Sequence, residues 1–121
     1  MNFSGIIKKG AGRGKELGFR TANLDLPKDL EIKDGIYFGT LIGAPALIFV
    51  GAAETFGETE KKVEVHILDF DGVELYGHEV EVEIEKFFRP NMKFNSKEEL
   101  IVQMKKDELE ARKHFGLKNV I

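Results

Sequence analysis

The chain has 121 residues, 42% of them hydrophobic and 10% aromatic, with 18 basic against 21 acidic side chains and no cysteine. One domain (residues 1–121) of this size can bury about two-thirds of its unfolded surface, enough for a core without staples. The net charge of −3 leaves no basic nucleic-acid footprint, and the lack of cysteine excludes disulfides, thiol catalysis and iron–sulfur clusters.

No apolar run has the length of a membrane helix, and the opening residues have no charged-then-apolar leader pattern, so a soluble cytoplasmic protein is expected. The first predicted strand covers residues 3–8. Residues 10–35 then show little periodicity, and a loop of that length in a compact domain tends to be functional. Strands are predicted at 36–42 and 46–50, with Gly43, Ala44 and Pro45 forming the hairpin between them. Residues 63–70 form a further strand. Glu64, His66, Leu68 and Phe70 share one of its faces, and Val63, Val65, Ile67 and Asp69 the other. Asp71 and Gly72 follow as a turn.

Residues 79–86 alternate strictly: Val80, Val82 and Ile84 toward a core, Glu79, Glu81, Glu83 and Glu85 toward solvent. That acidic face is read as solvated strand surface, not a metal site. A helix closes the chain. Ser96 and Glu99 have the spacing of a capping box, Gly116 stops the helix, and Leu100, Met104, Asp107, Ala111 and Phe115 form one stripe. Asp107 interrupts that apolar stripe and is expected to anchor a neighbouring loop. Short strands at this spacing indicate a barrel or sandwich.

Three groups could carry chemistry. Gly10, Gly12, Gly14 and Gly18 allow close backbone approach to an anion, with Arg13 and Lys15 adding charge; a flexible loop without a ligand explains the glycines equally well. The Gly-Lys-Ser/Thr of common phosphate loops is missing. Thr21 and Asn23 are hard neutral oxygen donors on one side of an extended chain, which suits magnesium held mainly by phosphates; the alternative is an ordinary turn with side-chain caps. Glu64 on a partly apolar face could be a desolvated general base, or a salt-bridged strand carboxylate. His66 is read as a structural hydrogen-bonding residue, since His66, His78 and His114 lack ligand spacing.

Taken in order, these segments resemble the riboflavin kinase (flavokinase) family, in particular the kinase domain of bacterial bifunctional riboflavin kinase/FAD synthetases. The resemblance runs through Leu17-Gly18-Phe19-Arg20-Thr21-Ala22-Asn23-Leu24, Gly35-Ile36-Tyr37, Val63 to Phe70, Leu75-Tyr76-Gly77, Arg89 with Lys93-Phe94, and Gln103, Asp107, Ala111 and Arg112. It implies a mainly β fold, a six-stranded antiparallel Greek-key barrel with a C-terminal α-helix, one strand more than the periodicity reveals. It implies transfer of the ATP γ-phosphoryl group to the 5′-hydroxyl of riboflavin, giving FMN and ADP. Carried over, Glu64 is the base and Thr21 and Asn23 hold Mg2+. Gly10, Gly12, Arg13, Gly14, Lys15, Gly18 and Arg20 lie along the nucleotide, and Arg89, Phe94 and Met104 lie on the flavin side. The expected partners are small molecules only, riboflavin/FMN and ATP/ADP, with no nucleic acid or membrane, and the expected state is a monomer.

Three positions depart from the family pattern. Arg20 stands for a proline, Glu54 precedes Thr55-Phe56 where proline is usual, and Asn91 replaces a glutamate common in bacterial members. These departures motivate the alternative of a non-catalytic flavin- or nucleotide-binding module.

Overall fold

The computed structural model describes residues 1–8, 21–25, 27, 30–52, 61–69 and 77–117. Six strands, β1 (Asn2–Lys8), β2 (Thr21–Leu24), β3 (Gly35–Leu41), β4 (Ala44–Gly51), β5 (Lys62–Ile67) and β6 (Glu79–Arg89), precede one helix, α1 (Lys97–Phe115). All pairings are antiparallel, and the order β1-β2-β5-β4-β3-β6 closes a barrel. The run β6-β3-β4-β5 has the 4-1-2-3 order of a Greek key. The sixth strand is β2, which interrupts the long loop expected at 10–35. Residues 9–20 lie outside the described residues, as do the turn at Asp71-Gly72 and the segment carrying Glu54.

Period-two alternation builds the interior. Val63, Val65 and Ile67 of β5 meet Ala46, Ile48 and Val50 of β4, with Leu24, Leu41 and Val82 completing the filling. The outward Glu79, Glu81, Glu83 and Glu85 are exposed, as their alternation predicted. Gly39 marks the tightest approach between strands. A Cβ there would sit 2.0 Å from the carbonyl oxygen of Glu83 on β6. Gly39→Ala should therefore cost about 3 kcal/mol through forced separation of β3 and β6. Urea unfolding would read this, and a midpoint equal to the parent's would refute it.

The β3–β4 hairpin turns at Ile42 and Gly43, both with positive φ (50° and 78°), while Ala44 and Pro45 already pair with Leu41 and Thr40. This corrects the turn expected at Gly43-Ala44-Pro45. Two left-handed residues match the right-handed twist of the flanking strands. Ile42 is β-branched and poorly suited to that conformation, and its side chain is exposed. Ile42→Asn is expected to raise stability by about 0.5–1 kcal/mol, measured as a higher thermal midpoint; a lower midpoint would contradict the turn assignment.

Strand β5 ends at Ile67, short of the expected residue 70. Asp69 leaves the strand face and its carboxylate accepts from Arg112. The helix forms between the predicted stops. Ser96 Oγ accepts from the Glu99 amide at 3.1 Å, and Gly116 takes the left-handed cap. The reciprocal half of the capping box is shifted: Glu99 accepts from the Asn95 amide, one residue before the cap. A second apolar cluster glues α1 to the outside of the barrel, with Ala111 against Ile36, Phe38, Leu47 and Leu68, and Phe38 stacked on Phe88 at 4.6 Å.

Candidate active site

The outer faces of β2, β5, β4, β3 and β6 carry the site in two cross-strand rows. The first row runs Asn23, Glu64, Phe49, Ile36, Arg89, each residue registered on the next. The second runs Thr21, His66, Leu47, Phe38, Lys86. Residues directly opposite on antiparallel strands have Cβ atoms about 5 Å apart. Asn23 therefore lies beside Glu64, and Thr21 beside His66. All four are half-buried, while their chain neighbours Ala22, Leu24, Val63 and Val65 are buried. The alternation that fills the barrel thus turns the polar residues to one outer patch.

That patch offers two neutral oxygen donors and one carboxylate. Such a set suits a hard divalent cation that draws its other ligands from phosphate oxygens and water. Among the described residues no group of three or more His, Asp or Glu could hold a metal by itself. On the other side of Glu64 stands Phe49, half-buried against the helix cluster, so the carboxylate borders apolar surface.

Arg89 ends the first row three strand spacings from Glu64, about 14 Å along the sheet. Its guanidinium is held by Asp107 of α1, with Nε donating to Oδ1 at 2.9 Å and Nη2 to Oδ2 at 2.6 Å. Nη1 donates to the Pro90 carbonyl at 2.9 Å, and Gln103 donates to Asp107 Oδ1 at 2.9 Å. Arg89 is thus first a tie between β6 and α1. Asp107 anchors a strand end, not the loop the sequence led us to expect. Two residues along, Asn91 donates from Nδ2 to the Val50 carbonyl at 2.9 Å, and its buried Oδ1 has no hydrogen-bond partner among the described residues.

Phe94 lines a shallow groove with Glu98, Glu99, Val102, Gln103 and Lys106. Met104 is half-buried on the Asp107–Ala111 stripe, apart from that groove. The geometry therefore brings Thr21, Asn23 and Glu64 together and ties Arg89 to the helix, leaving Phe94 and Met104 on different sides of α1. The nucleotide-side positions Gly10, Gly12, Arg13, Gly14, Lys15, Gly18 and Arg20 are outside the described residues. Sequence reasoning missed Phe49. Its only signal was its place two residues after Leu47 in a strand whose other face is interior.

A family model described as riboflavin kinase (Flavokinase) matches residues 1–115. The chain is 34% identical over 119 residues to the bifunctional riboflavin kinase/FMN adenylyltransferase of Escherichia coli, covering 94% of this chain and 38% of that protein. It is 34% identical over 125 residues to the riboflavin kinase of Homo sapiens, covering 93% of this chain and 79% of that one. Among solved structures, one described as a macrolide-efflux protein from Streptococcus pneumoniae superposes with a TM-score of 0.78 at 34% identity, covering 92% of this chain and 38% of that chain.

The chain belongs to the riboflavin kinase family, on the strength of the family model and the human relative. It spans between 18% and 38% of the length of the bacterial bifunctional and trifunctional relatives it matches. No helix among the described residues is long and apolar enough to cross a membrane.

Proposed function

We propose that this chain phosphorylates the 5′-hydroxyl of riboflavin with ATP, releasing FMN and ADP. The observation that carries the reading is the direct pairing of Asn23 with Glu64 on the outer barrel face, beside Thr21 and His66. Phosphoryl transfer asks little covalent chemistry of a protein. It needs an aligned hydroxyl, a base for its proton and neutralised phosphate charge.

Glu64 accepts the proton of the attacking ribityl hydroxyl. Phe49, registered on Glu64 from β4, gives that side of the carboxylate an apolar neighbour. Thr21 and Asn23 would hold Mg2+, which when bound neutralises charge on the nucleotide's phosphate oxygens. Gly10, Gly12, Gly14 and Gly18, with Arg13, Lys15 and Arg20, supply backbone amides and charge on the nucleotide side. Of the apolar residues between Glu64 and Arg89, Ile36 is buried beneath α1 and Phe49 stays half-exposed, so the flat ring of the substrate would rest at Phe49 and the helix edge, with its chain of hydroxyls toward Glu64. Met104, on the barrel-facing stripe of α1, borders the ring end, and Phe94 lies across the helix from it.

The test is incubation with riboflavin, ATP and magnesium, with products separated by chromatography. Equal amounts of FMN and ADP are expected. Riboflavin binding without FMN would instead identify a non-catalytic flavin module, and absence of both would overturn the reading.

A further inference from the structure

Two charged side chains on α1, Asp107 and Arg112, are buried. They lie five residues apart, which on an α-helix is about 140° of rotation and about 7.5 Å of rise. They leave the helix on different sides. Asp107 takes Arg89 at the end of β6. Arg112 donates from Nη2 to the Leu68 carbonyl at 3.1 Å and to the Asp69 carboxylate at 2.7 Å, just beyond β5. Glu108 stands 3.4 Å from the same nitrogen. Hydrogen bonding to Asp69 raises the Arg112 pKa further, so the group stays charged.

Strands β5 and β6 are not neighbours. β4 and β3 lie between them, a span of about 14 Å across three strand spacings. A helix with its side chains is about 10–12 Å wide. It lies over the two middle strands and reaches each flanking strand with one ionic arm. Apolar contact through Ala111 presses the helix down but, being non-directional, sets its rotation and slide only loosely. Charge-assisted hydrogen bonds do fix them. Buried ion pairs are also poor sources of net stability, often replaceable by apolar groups without loss. One such pair, Arg89–Asp107, and the grip of buried Arg112 on the Leu68 carbonyl and the exposed Asp69, at opposite edges of one helix, therefore point to placement.

We propose that Arg112 is a positioning residue: by gripping Leu68 and Asp69 it fixes α1 against β5, the strand of Glu64, and so sets the ring end of the flavin at its working distance from the base. This rests on the kinase reading above. Arg112→Met and Arg112→Lys test it in the full chain, with riboflavin and ATP varied separately. Arg112→Met should raise the KM for riboflavin about ten-fold, the scale of a slightly misplaced substrate, with the KM for ATP nearly unchanged. Arg112→Lys should recover most of that loss, since it keeps the charge and can still donate to the Leu68 carbonyl or the Asp69 carboxylate.

Unchanged KM values with a lower melting temperature would reduce Arg112 to a staple, and an equal rise in both KM values would also overturn the proposal. If Arg112→Met does not fold, Arg112→Lys carries the comparison, with a smaller rise confined to riboflavin. If the parent chain forms no FMN, the kinase reading falls separately. The placement of α1 is then judged by hydrogen exchange in Arg112→Met, where faster exchange along α1 with protected strands supports it and unchanged protection overturns it.

Discussion

Glu64→Gln should leave riboflavin binding intact while FMN formation falls by about 10³-fold, within the range removed with a general base. The amide keeps the size of the carboxylate and its place beside Asn23 but cannot take the hydroxyl proton. Catalysis remaining in the variant would come from alignment and phosphate neutralisation alone. The pH profile gives a second readout. The parent should lose activity on the acid side as its base protonates, and the variant should lack that limb. Riboflavin fluorescence quenching would establish binding, and chromatography would count FMN. Turnover equal to the parent's would remove Glu64 from the role of base.

Asp107→Ala is expected to be the most damaging change on the helix, at about 3 kcal/mol or more of stability. Asp107 accepts two hydrogen bonds from Arg89 and one from Gln103. Its loss leaves a guanidinium under the helix, 17% exposed, without its anion. For a domain of this size the thermal midpoint should fall by about 10 °C. The double variant Arg89→Met with Asp107→Leu should be closer to the parent than Asp107→Ala, because no charge is then left stranded. A single variant that melts within about 2 °C of the parent would show that the pair is not buried in solution as described.

Much of the barrel was legible because alternation and burial coincide. The Glu-Val-Glu-Val-Glu-Ile run could be nothing but a strand with one wet face, and β6 follows it. Ser96 and Gly116 bounded α1 because capping chemistry is local. The missing strand, β2, has four residues, too few for a period to stand out among the glycines and charges before it. Its polar positions, Thr21 and Asn23, drew notice as donors on one side of an extended chain, but with no sign of the strands that flank it. The hairpin turn expected from composition starts one residue late and ends two residues late, because nothing in that composition announces a left-handed isoleucine. The pairing of Asn23 with Glu64 joins residues 41 positions apart in the chain, and only the closure of the barrel makes them neighbours. The Arg89–Asp107 tie was equally hidden, since the acid in an apolar stripe announced a partner without naming it.

All four residues of β2 are registered on β5, which sets Thr21 and Asn23 in one ladder with Glu64. Local opening proceeds in contiguous cooperative units. Two strands laced over the full length of one of them are expected to move as such a unit. The oxygen donors and the carboxylate then travel as one plate, and their mutual spacing outlasts small movements of the wall they belong to.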